Sequence, residues 1–154
     1  MILIDFTFDK IAPMPAARTR STKLGHHFTP AKYRKYKTTL STAIAVQYPE
    51  LVATVPCAGT TERAKFLRDN KYCLLLKIYR AENRGDKDNY EKSVMDALGD
   101  AGVFANDSQV VCGFSAMFID KAHPRVEFQL VRLPVFYEKT QADLVEYLKN
   151  YLSD

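Results

Sequence analysis

Hydrophobic and polar positions alternate at the start of the chain: Ile2, Ile4, Phe6 and Phe8 fall on one side, a period of two that predicts a strand over residues 2–8. The stretch IAPMPAARTRSTKLGHHFTP comes next, with proline, glycine and arginine but no sustained period, and predicts a long loop. Thr29 and Pro30 have the form of an N-cap and a first-turn proline. They open a helix predicted over 31–47, with Tyr33, Tyr36, Leu40, Ala43 and Ile44 on one side and Lys32, Arg34, Lys35 and Lys37 on much of the remaining surface near its start. Residues 48–70 are broken by two prolines and a CAGTT segment, with a short helix predicted at 61–67. The run YCLLLKIY, 72–79, is apolar enough for a strand buried on both faces. Asp88, with Glu91 three residues on, has capping-box spacing and begins a helix predicted to about Leu98, with Val94, Met95 and Leu98 as its buried stripe and Gly99 and Gly102 ending it. Residues 110–120 and 125–131 read as two strands, joined through KAHP by a turn that suits an antiparallel hairpin. Leu144, Tyr147, Leu148 and Tyr151 predict a final amphipathic helix at 140–152, within a helical extension over about 138–154. The pattern describes one α/β (α+β) domain over 1–154, a mixed sheet of about four strands with helices packed against it.

Composition narrows the class. With 47% hydrophobic and 26% charged residues the chain can bury a real core, which removes disorder as a reading. No apolar run is long enough to span a membrane, and the alternating, early-charged N-terminus reads as a strand and not as a signal peptide. Cys57, Cys73 and Cys112 are odd in number and scattered, which points to buried thiols in a reducing cytoplasm, with neither a disulfide framework nor a zinc cluster. Positive charge is uneven: residues 1–40 hold eight Lys/Arg against two Asp/Glu, whereas 41–136 hold twelve of each. A basic segment beside a neutral body suits a polyanionic partner, through counterion release, or is a solvated basic face.

The segment RGDKDNYEK, 84–92, carries the chemistry. Each carboxylate has an ordinary explanation when taken singly: Asp88 as a helix cap, Asp86 as a solvated loop residue, Asp107 with Ser108 as a turn, and Asp96 as the i, i+4 partner of Lys92. Asp86, however, comes after one buried strand and Asp107 precedes the next, and if those strands are neighbours all three carboxylates are expected at one end of the sheet. Two unit charges about 4 Å apart repel by roughly 4 kcal/mol at a protein-like dielectric, which calls for a cation or raised pKa values. Hard oxygen donors favour Mg²⁺ or Mn²⁺, and basic neighbours make metal-assisted phosphodiester hydrolysis the natural reaction. Lys92, one helical turn beyond Asp88, is placed to offset charge developing on phosphate, or is a surface partner of Asp96. An EF-hand loop beginning at Asp86 fails, because it would meet Glu91 and Ala97 where Gly and Glu are required.

Asp86, Asp88, Asn89 and Lys92, then Asp96–Ala97–Leu98, Gly102 and Asp107–Ser108–Gln109–Val110, together resemble the core pattern of the RusA family of Holliday junction resolvases, found in bacteria and their phages. Pro15, Arg18, Arg20, Thr29 and Pro30 match its N-terminal pattern as well. The resemblance implies a RusA-like fold and a homodimer that resolves four-way junctions and related branched DNA by paired symmetric nicks with Mg²⁺, Mn²⁺ being an alternative. It implies Asp86, Asp88 and Asp107 as metal-binding carboxylates, Lys92 as a catalytic or phosphate-contacting lysine, and Asp96 and Asn89 as supporting groups behind them. Arg18, Arg20, Lys23, Lys32, Arg34, Lys35 and Arg84 are the expected DNA contacts, positioning phosphates without reading sequence. Two positions depart from the pattern: Asn106 stands where the family has the first acid of DDS, and Gly85 where some members have arginine. Two other functions remain open here, a non-catalytic binder of branched DNA and a metal-dependent hydrolase of small phosphate esters.

Overall fold

The computed structural model of this chain describes residues 1–17, 20–21, 27–52 and 54–133. Its elements run β1 (Ile2–Phe8), β2 (Arg20–Ser21), β3 (His27–Phe28), α1 (Ala31–Gln47), α2 (Pro49–Val52), α3 (Thr61–Asp69), β4 (Lys71–Arg80), α4 (Lys87–Asp100), a 3₁₀ turn (Asp107–Gln109), β5 (Val110–Ile119) and β6 (Arg125–Leu133). The class is α+β as expected, and the main sheet has four strands in the order β1-β6-β4-β5. The expected C-terminal extension, 138–154, lies outside the described residues.

β4 is apolar along its length because it is a central strand. Tyr72 through Leu76 are all buried, and the strand pairs with β5 on one side and β6 on the other. Its even-numbered residues Tyr72, Leu74, Leu76 and Ile78 join Ile4, Phe6 and Phe8 of β1, Val126, Phe128 and Leu130 of β6, and the apolar faces of α1 and α4 in one core. The odd-numbered residues Cys73 and Leu75 form a smaller cluster with Val131 and Leu133 on the opposite face. Of the three thiols, Cys73 is buried and Cys112 half-buried, but Cys57 is exposed, against expectation.

The hairpin expected through KAHP does not form. β5 pairs with β4 in parallel (Cys73 opposite Cys112), and β6 pairs antiparallel with the other side of β4 (Cys73 opposite Val131). A parallel pair needs a long crossover, and α4 supplies it. The short connection after β5 then steps across the end of β4, where the Asp120 amide donates to the Arg80 carbonyl at 2.9 Å.

Other differences are local. A two-stranded ribbon, β2–β3, lies within the stretch read as loop, and α2 is a single turn with no periodic signal. Pro30, not Thr29, is the N-cap of α1, with no side-chain cap bond. α3 runs two residues past its predicted end and is capped by Thr60, whose side chain accepts from the Arg63 amide at 3.1 Å. Asp86, not Asp88, is the N-cap of α4, and Glu91 bonds elsewhere, so no capping box forms there. At the other end Gly102, at φ +77°, lets the Val103 amide reach the Leu98 carbonyl and its own amide reach Gly99, a Schellman closure that stops the helix.

Candidate active site

The turn between β4 and α4 sets the first two carboxylates. Arg80, the last residue of β4, is buried at 7% exposure and directs its guanidinium into this turn. Its Nη1 donates to the carbonyls of Arg84 and Gly85, both at 3.1 Å, and its Nη2 to Asn83 Oδ1 at 2.9 Å. The Tyr90 hydroxyl also donates to the Arg84 carbonyl, at 2.9 Å, and the Tyr90 ring lies 5.7 Å from the guanidinium carbon. Gly85 has φ +85°, and a Cβ there would come within 3.1 Å of Tyr90 and 3.2 Å of Pro15. Glycine is therefore required by backbone and packing together, which explains the departure from arginine at this position. The Ala16 amide donates to the Asn89 carbonyl at 2.7 Å and stitches the N-terminal segment to the same corner.

Asp86 and Asp88 emerge from this corner exposed, at the N-cap and second position of α4. Neither carboxylate makes a hydrogen bond or ion pair with a described residue. The amide-rich helix start favours their charge. Neighbouring side chains are spent on each other: Lys87 Nζ reaches Glu91 Oε1 at 2.8 Å and Ser115 Oγ at 3.0 Å, and Ser115 also bonds to Glu91.

An open groove of about 600 Å³ runs from Asp88 along α4, lined also by Lys92, Asp96 and Asp107. Lys92 Nζ donates to Asp96 Oδ1 at 3.1 Å, while Tyr33 of α1 donates to Asp96 Oδ2 at 2.8 Å. Burial, and then the bond to Asp96, push the Tyr33 hydroxyl well above the usual phenol range. Lys37 and Asp100 pair at 2.7 Å farther along. Asp96 thus joins the basic start of α1 to the lysine of the site.

Asp107 opens the 3₁₀ turn at the other end of the groove. Asn106 caps that turn by accepting from the Ser108 amide at 2.9 Å. Asn and Asp are equivalent caps, so the departure at 106 keeps the local structure while removing one charge. Fully buried Gln109 completes the corner, accepting from the Ala105 amide at 2.8 Å and donating to the Asn70 carbonyl at 3.0 Å.

The three aspartates do not gather at one end of the sheet. β4 and β5 are neighbours, but parallel pairing puts the end of the first and the start of the second at opposite ends. Phe104 packs near Gly99, so Asp107 belongs to the C-terminal end of α4. At about 1.5 Å of rise per residue, Asp88 to Gly99 spans roughly 16 Å. Among the described residues, no three His, Cys, Asp or Glu side chains converge on one point. Asp86 and Asp88 alone still fit a hard cation of the kind that is bound by one or two carboxylates and completes its shell with water and phosphate oxygens. Asp107 of the same chain does not join them.

Of the expected DNA contacts, Lys32, Arg34 and Lys35 are exposed on the first turns of α1, and Arg84 is exposed on the turn before Asp86. Arg20 lies in β2, opposite Phe28, while Arg18 and Lys23 fall outside the described residues. Nothing in the sequence pattern marks the role of Arg80, and Gln109 stands out there only within the family motif; Tyr33, on the apolar side of α1, uses its hydroxyl to hold Asp96.

A small α+β domain with two free carboxylates at a helix start, a lysine one turn on and a basic helix alongside has the features of a metal-assisted nuclease. The family model described as Endodeoxyribonuclease RusA matches residues 10–131, and the chain belongs to that family. It is an endodeoxyribonuclease of the Holliday junction-resolving kind. No curated protein gives a significant match to the chain. Among the described residues no helix is long and apolar enough to cross a membrane.

Proposed function

We propose that this chain is a cytoplasmic, Mg²⁺-dependent resolvase that cuts four-way junctions and related branched DNA by paired symmetric nicks, acting as a homodimer. The observation that carries the reading is the Asp86–Asp88 pair, two exposed carboxylates without described partners, set by the turn that Arg80 braces, with Asp88 lining the groove. Asp86 and Asp88 would hold the cation, with Mn²⁺ as a substitute. When bound, the cation supplies Lewis-acid polarisation of the scissile phosphate and a lowered pKa for an attacking water.

The side chains do the rest. Lys92, held by Asp96, stands one turn beyond Asp88 and can stabilise charge on the phosphate in the transition state. Tyr33 fixes Asp96 from α1, and Asn89 supports the corner through its carbonyl. Lys32, Arg34, Lys35 and Arg84, together with Arg18, Arg20 and Lys23, hold phosphates and set the register of the DNA. Asp107 serves as the third carboxylate between copies: in a two-fold dimer, Asp107 of the partner subunit would complete the set with Asp86 and Asp88, which stand at the start of α4 while Asp107 of their own chain follows its end.

The test is nicking of a synthetic four-way junction, mapped to the nucleotide, with and without Mg²⁺. Asp88→Asn should abolish nicking and leave junction binding within about twofold. Normal cutting by Asp88→Asn would reduce Asp88 to a helix-start residue and overturn the reading.

A further inference from the structure

Arg80 is a cation without an anion. It is buried at 7% exposure, its salt-bridge partner is absent among the described residues, and its Nε has no hydrogen-bond partner. Its hydrogen bonds go to two carbonyls and one amide oxygen, all within residues 83–85. Burying a guanidinium against neutral groups is an expensive way to close a turn, and a fold gains little stability from it. The arrangement does, however, fix the peptide that leads into α4. A planar peptide whose carbonyl points at Arg80 turns its amide the other way, so the bond to the Gly85 carbonyl sets the orientation of the Gly85–Asp86 peptide. Asp86 is the next residue and Asp88 lies in the first turn of the helix that Asp86 caps. The Tyr90 hydroxyl on the Arg84 carbonyl and Pro15 beside Gly85 brace the same turn.

We infer that Arg80 is a positioning residue for the cation site: it touches neither DNA nor the ion, and it holds the turn so that the Asp86 and Asp88 carboxylates are set for one hard divalent cation before DNA arrives. Groups standing behind metal ligands commonly account for ten- to a hundredfold in affinity. The inference rests on Asp86 and Asp88 being the ion-binding pair, so the experiment separates the two claims.

Mn²⁺ binding to the full-length protein without DNA is measured by the electron paramagnetic resonance of the free ion, alongside junction binding in EDTA and thermal melting. Arg80→Met is expected to weaken Mn²⁺ at least about tenfold and leave junction affinity within twofold, with Arg80→Lys in between because an ammonium reaches fewer of the three acceptors. Asn83→Ala removes one acceptor from an exposed residue, should weaken Mn²⁺ by about threefold, and decides the matter if Arg80→Met does not fold. A residue that only stabilises the fold would lower the melting temperature and leave Mn²⁺ affinity of the folded variant unchanged, and that result overturns the inference. Asp88→Asn is the control: loss of Mn²⁺ there with none in Arg80→Met and Asn83→Ala sinks the role of Arg80 alone, whereas unchanged binding in Asp88→Asn sinks the ion-binding pair itself.

Discussion

Asp88 and Asp107 line the two ends of one groove, with Lys92 and Asp96 on the helix between them. Within a chain the helix axis separates the two acids, and a two-fold dimer would bring each to the other's partner. Asp88→Asn and Asp107→Asn homodimers should both be inactive, but mixing and re-annealing them should restore about a quarter of wild-type nicking capacity. In half of the molecules, one site then has all its carboxylates. Sites confined to single chains would give no recovery in the mixture.

Gly85 offers a test of the turn. Gly85→Ala places a Cβ at φ +85° against Pro15 and Tyr90. The left-handed conformation costs a non-glycine residue about 1–2 kcal/mol, and the crowding adds to that. Urea denaturation should show a loss of at least that size, and an unchanged midpoint would mean that the turn has another conformation.

On α1, Tyr33→Phe removes the 2.8 Å bond to Asp96 and keeps the buried ring. Stability should fall by about 1 kcal/mol, the usual net value for one hydrogen bond. Nicking should fall more than junction binding, because Asp96 would then hold Lys92 with one fewer anchor. Equal loss of both would place Tyr33 in DNA binding.

Salt dependence reports on the basic helix. Each phosphate contact contributes about −0.9 to the slope of log K against log salt. Lys35→Ala and Arg34→Ala should each make that slope shallower by about one contact, measured by anisotropy on a labelled junction in EDTA. A slope indifferent to both changes would move the phosphate path off α1.

Glu91 predicts a pH effect. Burial raises its pKa, but the bonds from Lys87 and Ser115 outweigh burial and hold the carboxyl below its usual value. A depressed folded pKa contributes stability above the unfolded value, about 4.3, that is lost as pH falls through the folded one. Glu91→Gln should therefore cost up to about 0.5 kcal/mol at neutral pH, the pair being partly exposed, and the difference should vanish in more acidic solution. A gap that stays constant down to about pH 3 would assign the loss to packing.

Much of the fold was legible because its elements have strong local periods. β1 and α1 have the bounds that their apolar spacing predicts, and β4 reads as central from its continuous apolar run. Pairing was less legible. Nothing in KAHP says that β4 stands between β5 and β6, because strand adjacency is decided by the α4 crossover and not by the turn. The expectation that neighbouring strands would gather the aspartates failed for the same reason, since direction matters as much as adjacency. The roles of Arg80 and Gln109 were not legible, because most of their partners are backbone carbonyls and amides, which every residue has.

The pairing of β1 with β6 joins Ile2 to Val131. During synthesis on the ribosome, β1 must wait for β6, with Ile4, Phe6 and Phe8 lacking the β6 side of their packing in the meantime. Such a distant closure is slow and leaves the nascent chain open to chaperones and proteases. It also means that the sheet beneath the nuclease groove is completed late, so a partly made chain has no finished support for cutting DNA.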